Sequence, residues 1–297
     1  MGANNDLRGI IVPMVTPFDS REEIGWGALG SHIENLIERG VHGLFPLGSQ
    51  GEFYALSASE KKQIAEFVTE KTNRRLPVVV GTSGITTRET IELSLHAERS
   101  GADAISILTP FFITPSQDEL RDHYLRIADR VSLPIVAYNN PSRTGVNLLP
   151  STMAAISEEA RHIVGIKDSS GDLGQTLEYV RLCAAGFRTF VGRDTLICEA
   201  LLNDCAGAVA ATANVVPELV VSIYRAAQED DRNRAQDAQR ELSQLRDAFS
   251  LGTFPVVVKE AMELVGWPAG PARGPVQPLN DQAREELRRI LQGLGAL

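Results

Sequence analysis

The residue with the most chemical promise in this chain is a lysine at the end of an apolar run. In His162-Ile163-Val164-Gly165-Ile166-Lys167-Asp168, small and apolar residues lead to an amine. A continuous apolar run bounded by polar or turn residues is the pattern of a strand buried on both faces. Ser169-Ser170-Gly171-Asp172 follows as a turn and a helix cap. In α/β folds that end of a strand is where chemistry is placed. An apolar surround disfavours an ammonium ion and frees an amine to act as a nucleophile. On position alone, a lysine at a strand end is more often a solvated surface group, so this reading needs partners. The chain has only five lysines: Lys61, Lys62, Lys71, Lys167 and Lys259. The first three lie in polar helical stretches and are expected to be solvated, whereas Lys167 and Lys259 have an apolar approach. The more numerous arginines stay protonated and cannot replace an amine nucleophile.

Three further stretches carry groups that suit such an amine. Gly48-Ser49-Gln50-Gly51-Glu52 places two glycines three apart, a turn able to aim backbone N–H groups at a carboxylate or phosphate. A plain turn before a helix fits that stretch equally well. Tyr138-Asn139-Asn140-Pro141-Ser142-Arg143-Thr144-Gly145 ends a second apolar run with a tyrosine. A phenol there can move a proton beside a developing charge, although a buried tyrosine is more often a core residue with a bonded hydroxyl. Arg143 is suited to clamp a carboxylate, although a loop arginine is more often a surface charge. Phe111-Phe112, after Thr109-Pro110, reads as core or interface before it reads as a pocket wall.

Metal chemistry has no support. The five histidines, His32, His42, His96, His123 and His162, lack metal-type spacing, and neither HExxH nor CxxC occurs. Cys183, Cys198 and Cys205 are an odd number and read as reduced thiols, which points to the cytoplasm. Met1–Asp6 lacks the basic and apolar pattern of a secretory signal. No stretch approaches the roughly 20 apolar residues of a membrane helix. A formal charge of −9 argues against nucleic acid or an anionic membrane as partner.

The elements that position these residues alternate along the chain. Strands are expected at 9–15, 41–47, 76–81, 103–108, 134–138, 162–167, 188–191 and 207–211. Helices are expected between them at 26–39, 59–73 (capped by Ser59), 87–100, 116–130, 150–157, 172–185, 194–203 and 217–228. Eight strand–helix units match a (β/α)8 TIM barrel, whose typical size is ~250 residues. A doubly wound sheet is the alternative, but Thr16-Pro17-Phe18-Asp19 offers no glycine-rich phosphate turn after the first strand. Residues 1–229 are read as the barrel. Residues 230–297 are read as a helical extension packed on it, with helices at 231–250, 254–265 and 281–294, the last capped by Asn280.

Taken together, these motifs resemble the pyruvate-dependent class I aldolase family of dihydrodipicolinate synthase and N-acetylneuraminate lyase. The likeness runs from Pro13-Met14-Val15-Thr16-Pro17-Phe18 to Arg273-Gly274-Pro275-Val276-Gln277-Pro278-Leu279 and includes Gly165-Ile166-Lys167-Asp168 and Thr212-Ala213-Asn214. The resemblance implies that Lys167 forms an imine with pyruvate and that Tyr138 shuttles protons beside it. It implies that Gly48, Ser49 and Gln50 hold the pyruvate carboxylate, with the Ser49 hydroxyl in the relay. It also implies that the Val209 backbone lines the pocket and that Arg143 binds the carboxylate of an aldehyde. No cofactor is implied, since the imine does the work of a metal, and a homotetramer is expected.

Ser142-Arg143-Thr144-Gly145 favours a synthase acting on L-aspartate semialdehyde. Three departures stand against the synthase pattern. Ser49-Gln50 replaces a usual Thr-Thr pair, and Phe112 replaces a tyrosine lent across a subunit interface. Phe53-Tyr54 replaces smaller residues near a regulatory lysine site, so feedback by lysine is not expected. Two alternatives follow: a lyase or dehydratase of a 2-keto-3-deoxy sugar acid, N-acetylneuraminate or a hydroxyproline-pathway substrate, and a non-catalytic 2-oxo-acid-binding barrel.

Overall fold

The computed structural model of the chain describes residues 7–297; Met1–Asp6, read above for a targeting signal, lies outside the described residues. Eight strands form one sheet: β1 (Gly9–Pro13), β2 (Gly43–Phe45), β3 (Val79–Gly81), β4 (Ala104–Leu108), β5 (Ile135–Asn139), β6 (Ile163–Asp168), β7 (Arg188–Val191) and β8 (Gly207–Val209). Their order is β2-β1-β8-β7-β6-β5-β4-β3, and every pairing is parallel. A parallel bridge between Leu44 and Val78 joins β2 to β3, which closes the sheet into the expected (β/α)8 barrel. The strands are almost wholly buried because side chains fill the barrel on one face and pack under helices on the other.

Prolines account for two differences in strand length. Strand β2 is shorter than the apolar run at 41–47, because Pro46 has no N–H and Leu47 turns into the left-handed region (φ 61°). Pro77 likewise keeps the start of 76–81 out of β3.

The helix after β2 spans Ala58–Thr72, and its cap is Ser57 rather than Ser59. Ser57 Oγ accepts the Glu60 N–H at 3.2 Å, and the Glu60 carboxylate accepts the Ser57 N–H at 2.7 Å. Ser59 has a lysine, Lys62, at the third position after it and cannot form that reciprocal pair. Lys61 is half-buried rather than solvated: its Nζ stands 5.7 Å from the Phe53 ring centroid, and burial lowers its pKa. A one-turn helix, Pro141–Thr144, and short 3-10 turns at Ser49–Gly51 and Ala211–Asn214 occupy the carboxyl ends of strands, where loops were expected, and the helix expected at 194–203 opens as a 3-10 turn, Asp194–Leu196, before the α-helix Ile197–Leu201.

The carboxyl-terminal residues form helices Arg232–Asp247, Val256–Leu264 and Asp281–Gly293, the last capped by Asn280. The first packs along Pro217–Gln228, and the second buries Val256, Val257, Val258, Ala261 and Met262.

Two buried histidines sit in the packing in their neutral form, His32 against the end of the barrel and His123 against Thr87 of the neighbouring helix. His32 Nε2 lies 3.0 Å from Asn214 Oδ1. The Asn214 amide is oriented by donating Nδ2 to Pro13 O and Ala211 O, so the histidine nitrogen is the donor. His32 Nδ1 is buried without a partner among the described residues. Burial holds His32 down to about 4, and burial together with the Arg126 charge does the same for His123. Both groups take up protons more readily when unfolded, so their contribution is present above pH 6.5 and is lost as pH falls towards 4. Each shift from 6.5 to about 4 corresponds to roughly 3 kcal/mol. Thermal melts between pH 7 and 4 should therefore fall steeply, and a His32→Gln variant should flatten that fall.

Candidate active site

Lys167 and Tyr138 are direct neighbours in register across β6 and β5. Successive side chains of a strand alternate, so Lys167 enters the barrel while Asp168 turns outward. The Asp168 carboxylate accepts from Asn139 Nδ2 (2.9 Å), Ser170 Oγ (2.7 Å) and Thr176 Oγ1 (2.6 Å), which pins the end of β6 and hence the lysine beside it. Lys167 is 5% exposed. Its Nζ stands 4.0 Å from the Tyr138 ring centroid and 5.0 Å from that of Phe45. A Cβ on Gly192 would strike Ser169 Oγ and come within 3.1 Å of Lys167 Cε, so only glycine at the end of β7 leaves the side chain its course.

The Tyr138 hydroxyl accepts from Asn140 Nδ2 at 2.9 Å and lies 3.4 Å from Ser49 Oγ. Burial raises the phenol's pKa, but the Lys167 charge and the hydrogen bonds with Ser49, Asn140 and Ser169 outweigh it, so the net direction is down. Ser49 and Gln50 open the 3-10 turn after β2. The Gln50 side chain is 3% exposed, and neither amide atom has a hydrogen-bond partner among the described residues. A buried amide of that kind is ready to bind something that enters the cavity.

One cavity of about 320 Å³ collects these groups: Ser49, Gln50, Tyr138, Arg143, Lys167 and Val209 all line it. Gly48 does not; it stands one residue earlier, and its carbonyl accepts the Gly51 N–H at 3.0 Å. That volume is within the range of pockets that take small molecules.

The outer wall was missed by the reading of the sequence. Arg193, Arg246, Phe249 and Phe254 line the mouth together with Arg143. The Arg143 guanidinium stacks 4.6 Å from the Phe254 ring centroid, and that of Arg246 lies 4.7 Å from Phe249. Arg246 Nε is 3.6 Å from the buried Asp194 carboxylate, which also accepts the Thr212 N–H and O–H. Burial lowers the Arg246 pKa against the pull of Asp194, and the charges of Arg193 and Arg143 add to the lowering. The sequence holds no signal for Arg246, one of many charges on a polar helix. Among the described residues, no group of three or more His, Cys, Asp or Glu side chains is clustered to hold a metal ion.

The family model described as the dihydrodipicolinate synthetase family matches residues 6–294. This chain belongs to that family. The 4-hydroxy-tetrahydrodipicolinate synthase of Methanopyrus kandleri is 39% identical over 292 residues, covering 98% of this chain and 97% of the relative. An uncharacterised DapA-like lyase of Halobacterium salinarum is 38% identical, over 98% of this chain and 95% of its own. Among solved structures, the dihydrodipicolinate synthase of Thermotoga maritima superposes with a TM-score of 0.95 at 30% identity, covering 98% of this chain and 100% of that one. YagE of Escherichia coli K12, a prophage protein of the dihydrodipicolinic acid synthase family solved with pyruvate, gives 0.94 at 34% identity over 98% and 99%.

Proposed function

We propose that this chain is a class I, imine-forming lyase that condenses pyruvate with L-aspartate semialdehyde, a 4-hydroxy-tetrahydrodipicolinate synthase. The observation that carries this reading is the pairing of a buried lysine with a hydrogen-bonded tyrosine in one cavity.

The Lys167 amine attacks the keto carbon of pyruvate, and loss of water leaves a protonated imine. The imine draws electrons from the methyl carbon, which loses a proton and becomes an enamine. The enamine carbon attacks the aldehyde carbon, whose oxygen takes up a proton; water then hydrolyses the imine and frees Lys167, and the amino group brought by the semialdehyde condenses with the released ketone, expelling water and closing the ring. Tyr138 and Ser49 move the protons, the Asn140 hydrogen bond holding the phenol oxygen in place. Gln50 and the Ser49 turn take the pyruvate carboxylate, and Arg143 takes that of the aldehyde. No metal or cofactor takes part in this sequence.

Phe112 supports self-assembly. Its ring is 94% exposed, and its backbone is held in the left-handed region (φ 72°), a costly arrangement for a bulky residue on a free surface. We place it against a second copy in a homotetramer. No helix among the described residues is long and apolar enough to cross a membrane. The Cys183 and Cys205 thiols are pushed up by burial to about 11 and about 12, which keeps them protonated. We place the enzyme in the cytoplasm.

A 2-keto-3-deoxy sugar acid is the second reading, favoured by the lack of a hydroxyl on Phe112 and by the extra guanidinium groups of Arg193 and Arg246. Borohydride reduction with pyruvate and peptide mapping tests the imine; an adduct on Lys259, or none, would overturn the mechanism. Coupled assays with aspartate semialdehyde against a panel of keto-deoxy acids separate the two readings. Arg246→Ala should raise KM for the second substrate about tenfold, the worth of one charge-assisted hydrogen bond, and leave pyruvate trapping unchanged.

A further inference from the structure

The second lysine with an apolar approach, Lys259, is more deeply buried than the first and is locked. It lies on the helix Val256–Leu264 with its Nζ 2.6 Å from Glu52 Oε1, and it donates to Pro271 O at 2.7 Å. Both side chains of the pair are 1% exposed, and neither lines the cavity. The Phe18 ring centroid is 4.3 Å from Nζ, and Glu52 Oε2 accepts the Arg273 N–H at 3.0 Å. With its amine committed on every side, Lys259 is not available as a nucleophile.

What the pair touches is the turn carrying Ser49 and Gln50. Glu52 ends that turn: its N–H donates to Ser49 O at 3.1 Å, and its own backbone is left-handed (φ 55°). A non-glycine residue keeps such a conformation only where its surroundings hold it. On the other side, Thr16 Oγ1 donates to Gly51 O at 2.7 Å. A Cβ on Gly51 would come within 2.9 Å of Met14 O, so the turn lies flat against the end of β1. The turn is thus gripped from the barrel by Thr16 and from the carboxyl-terminal helices by Lys259 through Glu52.

We propose that Lys259 is a positioning residue: by holding Glu52 it sets the Ser49–Gln50 turn and with it the affinity for pyruvate. This rests on the imine-forming reading above. The competing account is that the pair serves folding alone. Removing one partner of a buried pair strands a charge and destabilises strongly, whereas removing both together is far milder. That difference separates the two accounts.

The experiment measures the pyruvate concentration that half-saturates borohydride trapping on Lys167 in the wild type, Lys259→Met, Glu52→Gln and the double variant. Thermal melts run alongside, and trapping is done below every melting point. Half-saturation should rise about tenfold in each variant, since small displacements of positioning groups cost that much or more. The double variant should regain most of the lost melting temperature and keep the weakened affinity. Folded variants that trap pyruvate at the wild-type concentration, or a double variant that regains stability and affinity together, would overturn the proposal. If Lys259→Met does not fold, Glu52→Gln carries the same measurement, because it keeps the side-chain volume while removing the charge and one of the two acceptors through which position 52 is held. A wild type that traps no pyruvate on Lys167 removes the imine reading itself, an outcome distinct from failure of the variants alone.

Discussion

Replacing Lys167 with arginine should abolish the pyruvate adduct and lower turnover on the order of 10⁴-fold or more, the scale seen when a covalent nucleophile is removed. Arginine keeps the charge and much of the volume but stays protonated. The substitution therefore separates nucleophilicity from electrostatics. The pocket contains mostly aromatic and small groups around the amine, namely Tyr138, Phe45 and Gly192. The fold should survive, as a melt would check, because Asp168 and not Lys167 carries the hydrogen bonds that anchor the end of β6. Borohydride trapping followed by mass mapping reads the result directly. Retained turnover in the arginine variant would mean that the reaction does not pass through an imine at this residue.

Tyr138→Phe should lower kcat by roughly 10² to 10³, within the range for loss of a proton-transfer group, while pyruvate is still trapped on Lys167. The hydroxyl meets Asn140, Ser49 and Ser169 at its tip, and the ring keeps its packing against Phe45. The pH dependence has a definite sign. The hydrogen bond donated by Asn140 stabilises the phenolate and contributes to the lowered pKa. Asn140→Ala removes that donor, so the phenol becomes less acidic and the limb of the pH–rate profile due to Tyr138 moves to higher pH. The limb is identified as the one absent in Tyr138→Phe. A profile unmoved by Asn140→Ala would take Tyr138 out of proton transfer.

Much of this was legible in the chain because it depends on local chemistry. Apolar runs of strand length alternating with amphipathic stretches specify parallel strands with helical crossovers, and a lysine closing one such run sits at a strand end wherever that strand packs. Tyr138 closes the neighbouring run, so the two readings met in register. The misplaced boundaries were local as well. Pro46 and Pro77 shortened strands that apolarity alone would have extended, and a reciprocal partner three residues on made Ser57 the cap instead of Ser59.

The order of residues by itself pointed to the barrel and to a lysine and a tyrosine at strand ends, because apolar runs and their ends are properties of neighbouring residues; the resemblance to a known family, not position, raised the two above a surface amine and a core phenol. Only the tertiary structure decided what surrounds them. Arg246, at the end of a polar helix, and Phe249, in the 3-10 turn just past it, reach the mouth from more than 75 residues beyond Lys167, and the Gln50 amide is left without a partner among the described residues. Of two lysines with the same apolar approach, Lys259 is bound to Glu52, 207 residues away, while Lys167 faces aromatic rings and open cavity. Contacts at such separations follow from how the helices close on the barrel, and no local pattern encodes them.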